Sequence, residues 1–435
     1  MHSSFSRLSH YQFADEEDNM GFDNYVFSRN PPFLFPSREI DRMMIHYMQN
    51  VIHLQYLFDD GTIRQIICET VTLERPREAA SLLASVHNHR FYRPQQRAFQ
   101  KLDVRDRLRS LKSLLSSVTH GADDAVAALH VVSSILFDGG QGSWKKWLGV
   151  ANRYVDSLFR WHNSPAEVLL HSSPKDAFII KTAIWFDVLA SVTTQEVPHF
   201  LSEIRGMFGP QHPKLYGYDT YTQCLMMSPM GCENIIVWAL AETSALAHWK
   251  ATEKKKGSLS MPELVLRAQR IESQAYGMNR YPQPGASLLM KGGNPQGLQQ
   301  LASEIFRSAT RLYLRTVVSG DYPRVPEVKE SVNDIVEKIQ DINRASLGHT
   351  ENEQTLAGSI VRNTVFGFFI CGAFADEGKS QAIVLEQVQR QGEGAGNCGS
   401  VGKLLEGLWA RRGADTMNHS VPWRETLKKT ETLLV

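Results

Sequence analysis

From Ser37 onward, apolar residues return every three or four positions, and that rhythm excludes most folds. A spacing of about 3.6 residues gathers side chains on one face of an α-helix, whereas a half-buried strand needs strict alternation. Ser37 supplies a helix cap and Glu39 a first-turn acid; Ile40, Met43, Met44, Tyr47, Val51 and Leu54 then share one face. The run DDAVAALHVVSSILFDGG repeats the arrangement with Ala125, Ala128, Leu129, Val132, Ile135 and Leu136, and Gly139 and Gly140 end it. Helical patterns continue through 144–160, 176–191, 232–251, 260–276, 297–318, 327–343, 355–374, 379–390, 400–411 and 422–432. No hairpin signal competes with them. The predicted fold is therefore all-α: a large irregular multi-helix bundle or a helical-repeat-like array, with no fixed period to mark a regular solenoid.

The arm before this region has a different composition. Residues 1–36 interleave acids with aromatics in FADEEDNMGFDNYVF and then run into NPPFLFP, which predicts a disordered N-terminal arm ahead of a helical domain over 37–435. The 47 Lys and Arg nearly balance 46 Asp and Glu, so no whole-chain field draws the protein to nucleic acid or to an anionic membrane. Five scattered cysteines, Cys68, Cys224, Cys232, Cys371 and Cys398, include no C-x-x-C pair and read as reduced, buried thiols. The apolar run TVFGFFICGAFA is 12 residues long. A membrane-spanning helix needs about 20, so no membrane partner is expected. With no signal-peptide pattern at the N-terminus, an intracellular soluble protein is the default expectation.

Several constellations imitate catalytic or binding sites. His46 and His53 are seven residues apart. That is two helical turns, roughly 10 Å of rise, too far for one zinc ion to take both readily. Asp59, Asp60 and Gly61 follow as a turn. An all-α chain with a carboxylate pair invites comparison with magnesium-dependent lyases of the terpene-synthase type, which use D-D-x-x-D and N-D-x-x-S-x-x-x-E. Here Ile63 stands where the third acid belongs, and Asn333 and Asp334 are followed by Glu337 and Asp341 in place of the hydroxyl and the final Glu. Magnesium needs several well-placed oxygens, so the lyase remains the alternative reading. GAGNCG, with Gly394, Gly396 and Gly399, matches a nucleotide fingerprint in letters, but a helical pattern precedes it where a strand should stand. Arg307, Arg311 and Arg315 form a ridge at helical spacing that could hold phosphates or an acidic partner, although a solvated helix face explains it as well. Lys254, Lys255 and Lys256 could assist nuclear import, or simply complement a helix C-terminus before Gly257.

The order of several blocks adds a resemblance. HYMQNVIHLQYLFDDG, ALHVVSSILFDGGQGSWKKWLGVANRYVDSLF, FIIKTAIWFDVLASVT, CENIIVWALAETSALAHWK, IFRSATRLYLRTVVSGDYPRVPEV, NTVFGFFICGAFADE and GNCGSVGKLLEGLWARR together resemble the fungal-specific transcription factor domain, over about residues 40–430. That resemblance implies a nuclear regulator of transcription rather than an enzyme. It works through the transcription machinery, co-regulator proteins or a small-molecule effector. The family's DNA-reading module is a six-cysteine cluster holding two zinc ions. This chain has no such cluster, so no cofactor is expected within it, and zinc and DNA would enter only through missing upstream sequence or a partner. The blocks also have a plain structural reading: Trp144, Trp147, Tyr154 and Leu158 can line one core face, and Ile236, Trp238, Leu240 and Leu246 another. Target genes, sign of regulation and oligomeric state are not legible in the sequence.

Overall fold

The computed structural model describes residues 39–57, 61–92, 108–117, 119–160, 164–211, 224–277, 295–346, 351–376, 378–392, 396–414 and 420–435. The N-terminal arm, Ser37, Asp59, Asp60 and Gly394 lie outside them. Among the described residues every regular element is a helix, as the periodicity predicts. In chain order these are α1 (Glu39–His46), a π-helical turn (Tyr47–Val51), α2 (Ile52–Gln55), α3 (Thr62–Thr70), α4 (Glu74–Tyr92), α5 (Ser113–Ser116), α6 (Ala122–Phe137) and α7 (Trp144–Phe159). They continue with α8 (Pro165–His171), α9 (Pro174–Thr194), α10 (Leu201–Phe208), α11 (Met227–Met230), α12 (Asn234–Lys256), α13 (Met261–Tyr276) and α14 (Pro295–Ser319). The last are α15 (Pro326–Ser346), α16 (Glu351–Asn363), α17 (Val365–Phe374), α18 (Gly378–Arg390), α19 (Cys398–Ala414) and α20 (Trp423–Thr430).

One apolar cluster runs from Met44 to Leu434. Its first half is built by α1, α4, α6 and α7, its second by α14, α15, α17, α18 and α19, while α9 and α12 pack on each other. Helix α9 is long and apolar enough to cross a bilayer, yet every residue from 177 to 193 is buried inside the protein. Those residues include Lys181, which donates to the carbonyls of Ser228 (2.7 Å) and Leu225 (3.3 Å), and Asp187, which accepts from the Phe200 amide (3.0 Å). Burying such groups is tolerable only because each meets a partner.

Two departures from the expected helices have local causes. The π-helical turn at Tyr47–Val51 inserts an extra residue, so the register slips: Ile52 is buried and Leu54 only half-buried. Asp41, on α1, is also fully buried, because it is paired with Arg77 from α4. The run 355–374 reads as one helix but breaks at Thr364, where Ala357–Asn363 and Val365–Phe374 meet at 71°. Thr364 leaves helical geometry (φ −110, ψ 24) and its hydroxyl returns to the Ile360 carbonyl at 2.8 Å. The turn lets α17, buried along its whole length, enter the core between α14 and α19.

The chain closes on Trp423. Its fully buried ring meets Tyr313, Phe369 and Phe374 with centroids 5.7, 6.3 and 6.2 Å away, and its indole N–H donates to Asp321 (3.0 Å). Arg424 covers the ring at 4.3 Å and pairs with Asp321. Beyond α20 the segment Thr432–Leu434 is buried without helical structure. We expect Trp423→Ala to lower unfolding free energy by about 3–5 kcal/mol, and Trp423→Phe by clearly less, in urea titrations followed by circular dichroism. Equal losses would deny the ring cluster its role.

Candidate functional site

The sequence around α13 explains how a cleft forms beside it. Ser260 caps the helix by accepting from the Glu263 amide (3.3 Å), and Pro262 sits in the first turn, where its missing N–H costs nothing. Leu264, Ala268, Ile271 and Ala275 face inward against α12 and α14. The groove left between α10, α12 and α13 has a volume of about 330 Å³ and an apolar floor of Trp238, Leu246 and Ile271. Ion pairs form its rim. Arg205 grips Glu242 through two hydrogen bonds (2.5 and 2.9 Å), and Arg267 bonds Glu263 (2.7 Å) while lying 4.3 Å over the Trp249 ring. Met261, Val265 and Leu266 on the outer side of α13 are three of the six large apolar side chains exposed among the described residues. A concave apolar floor with a charged rim suits a small amphipathic ligand better than bond-breaking chemistry, and the exposed apolar residues lie on faces of α13 that do not line it.

Periodicity alone does not reveal this cleft, because its walls come from three separate helices, with lining residues from Arg205 to Gln274. One signal was present in the sequence: Val265 and Leu266 follow Leu264 and fall off the buried stripe of α13.

The arginine ridge is turned mostly inward. Arg307 pairs with Glu233 at the start of α12 (2.7 Å) and donates to the Ala275 carbonyl (3.4 Å), while the Tyr276 hydroxyl donates to its own carbonyl (3.1 Å). Arg311 stacks on Tyr276 at 4.3 Å, so these two residues clamp the end of α13 to α14. Arg315 is engaged by Glu330, Ser331 and the Glu327 carbonyl at the start of α15. Lys254, Lys255 and Lys256 are exposed in the last turn of α12, Lys256 bonded to Glu253 (2.9 Å).

Of the lyase residues, Asn333 and Glu337 are exposed on α15 and Asp341 is paired with Arg344. Asp334 accepts from Ser308 and Lys338, both at 2.5 Å. Burial opposes its ionisation, but these two donors outweigh it and hold the carboxyl below its ordinary value. Among the described residues no three His, Cys, Asp or Glu side chains gather as metal ligands, and the lyase reading gains no support. The helix α18 precedes the GAGNCG loop, as its pattern predicts. Cys398 opens α19 with its thiol pushed up to about 12 by burial, which keeps it from acting as a nucleophile. All five cysteines are free.

The histidines gather with groups that the sequence does not bring together. His46 lies 3.0 Å from His87 on α4, and Asn50 reaches the other ring nitrogen of His46 (3.2 Å). Burial first, then Arg362 and Arg64, brings His53 down to about 4; burial, then the neighbouring histidines and Arg362, brings His87 to about 3. His130, fully buried in α6, is held at about 4 by burial.

Comparison with known proteins places this helical chain among regulators of transcription. The family described as the fungal specific transcription factor domain matches residues 43–435. The ustiloxin B cluster transcription factor ustR of Aspergillus flavus is 25% identical over 57% of this chain and 40% of its own length. The transcription factor ntnD of a Nectria species is 26% identical over 39% of this chain and 29% of its own length. The trichothecene biosynthesis transcription regulator TRI10 of Trichoderma arundinaceum is 24% identical over 67% of this chain and 75% of its own length. The chain thus spans less than half the length of the first two relatives. No solved structure matches.

The buried histidines set a pH dependence. In the folded state His53, His87 and His130 bind protons only below about 4, whereas unfolded histidine does so below its ordinary 6.5. Their contribution is therefore complete above pH 6.5 and is lost as pH falls toward 4. Asp187, raised by burial to about 6, and His199, raised by its bond to Asp156, work in the opposite sense. The lowered histidines outnumber them, so unfolding midpoints in urea should fall from pH 7 to pH 5, and His130→Gln should make that slope shallower.

Proposed function

The chain belongs to the fungal-specific transcription factor domain family, and we propose on that footing that it regulates transcription in the nucleus through binding rather than catalysis. The match across 43–435 carries this reading, since it spans nearly the whole helical region. Relatives whose names tie them to ustiloxin B and trichothecene biosynthesis favour genes of a specialised biosynthetic cluster as its targets. The near-zero net charge offers no long-range attraction to DNA, so contact with a promoter passes through a partner or through a zinc-cluster module outside this sequence. The exposed apolar residues of α13, Met261, Val265 and Leu266, are where a co-regulator helix would lay its apolar face, and the cleft of α10, α12 and α13 would take a small effector. Lys254, Lys255 and Lys256, exposed at the end of α12, would serve nuclear import.

Fused to an unrelated DNA-binding module, the chain should change reporter transcription several-fold relative to the module alone. Leu266→Asp combined with Met261→Asp should reduce that change while leaving the thermal midpoint in place, because both side chains are exposed. An expressed nuclear fusion that leaves the reporter unmoved would overturn the regulatory reading. Replacing Lys254, Lys255 and Lys256 by alanine should shift a fluorescent fusion of the chain from nucleus to cytoplasm, and an unchanged distribution would rule out import through them.

A further inference from the structure

Among the described residues, no acid reaches Arg362 near the end of α16. Its Nη2 donates to Ser359 Oγ (2.6 Å) and its Nη1 to Gln391 Oε1 (3.3 Å), both neutral acceptors. Its Nε is shut away from solvent and has no partner. The ionisable groups that act on it and on its neighbour His53 are Cys398 at the start of α19, Arg64 on α3 and His87 on α4; among the described residues no carboxylate does so. Burial without a counter-charge brings the guanidinium down to about 10. Two neutral hydrogen bonds do not replace the hydration that a buried cation gives up.

Helix α19 adds potential of the same sign. It runs from Cys398 to Ala414, so the positive end of its dipole and its first-turn amides lie at Cys398, beside Arg362. An ordinary cap would turn a side-chain oxygen onto those amides. Here the capping Asn397 gives its Nδ2 to the Leu433 carbonyl (2.5 Å), and its Oδ1 is buried with no partner at all. The loop leading into the helix leaves room: a Cβ built at Gly396, where φ is +62, meets nothing within 4 Å. Two features therefore point the same way: a buried guanidinium whose Nε has no partner, and a helix start that the side-chain oxygen of Asn397 does not cap.

We propose that Arg362, His53 and the first turn of α19 form a binding site for a small oxyanion, supplied by a phosphate or carboxylate ligand. The Nε and Nη edge of Arg362 would take two oxygens in a fork, and the amides of α19 the remaining charge. Gly396 and Gly399 then serve an anion loop on a helix rather than a nucleotide fold. The assignment deepens the regulatory reading by naming the class of effector, but its test needs only the purified chain.

The test is calorimetric titration and thermal denaturation with inorganic phosphate and with succinate, against sodium chloride at matched ionic strength. A saturable rise in midpoint with one of the two, absent with chloride, is the expected result, and which probe gives it identifies the ligand class. Arg362→Met should abolish that response and leave the unliganded protein at least as stable, because it removes an uncompensated buried charge. A variant that merely lost a structural arginine would be destabilised instead. If Arg362→Met does not fold, Arg362→Lys and His53→Phe replace it, each weakening binding by about tenfold or more. No saturable response from the wild type, or undiminished binding in the variants, overturns the site.

Discussion

Three successive carbonyls after α20, in a non-helical segment whose Thr432 and Leu433 are buried, tie distant helices together. Glu431 O accepts from the Trp144 indole (2.7 Å), Thr432 O from the Thr193 hydroxyl (2.6 Å) and Leu433 O from the Asn397 amide (2.5 Å), while the Leu433 amide donates to Gly140 O (2.8 Å). Buried backbone that is not in a helix must find such partners or pay for leaving its polar groups bare. The partners come from α7, α9, the cap of α19 and the turn after α6, elements scattered over nearly 260 positions of sequence. The same contact explains the glycine at 140: with φ +79, a Cβ there would stand 2.9 Å from the Leu433 oxygen.

The sequence announces helices readily because each needs only its own apolar stripe: α12 buries every residue its periodicity picks out, while α6 leaves Ile135 and α7 leaves Tyr154 and Leu158 half-buried at the edge of the core. It hides whatever depends on a neighbour. Asp41 looks like an ordinary first-turn acid until Arg77 arrives from α4, and the π-helical turn leaves no mark in the letters of YMQNV. The break at Thr364 lies inside a continuous helical pattern, just after Arg362 and Asn363, and it is seen only once α17 packs on α14 and α19. The candidate cleft was legible only as a stray pair of apolar residues, Val265 and Leu266. The arginine ridge was legible as a pattern, but its orientation was not: Tyr276 and Glu233 lie 31 and 74 residues from Arg307.

That orientation matters for the cleft. Helix α13 is fastened by side-chain ties at both ends, Arg267 over Trp249 near its start and Tyr276 under Arg311 at its finish. Between them only a narrow stripe of Leu264, Ala268, Ile271 and Ala275 is buried. Burial thus separates α13, attached along one stripe, from α9, buried at every position from 177 to 193.

The proposed oxyanion site meets this architecture at Asn397. Its Nδ2 anchors the Leu433 carbonyl, and its Oδ1 is buried without a partner. The oxygen and nitrogen of one amide bond independently, so the docked tail fixes the position of Asn397 without obliging it to cap α19. An anion bound there as proposed would sit one residue from a contact that reaches α7 and α9 through the tail.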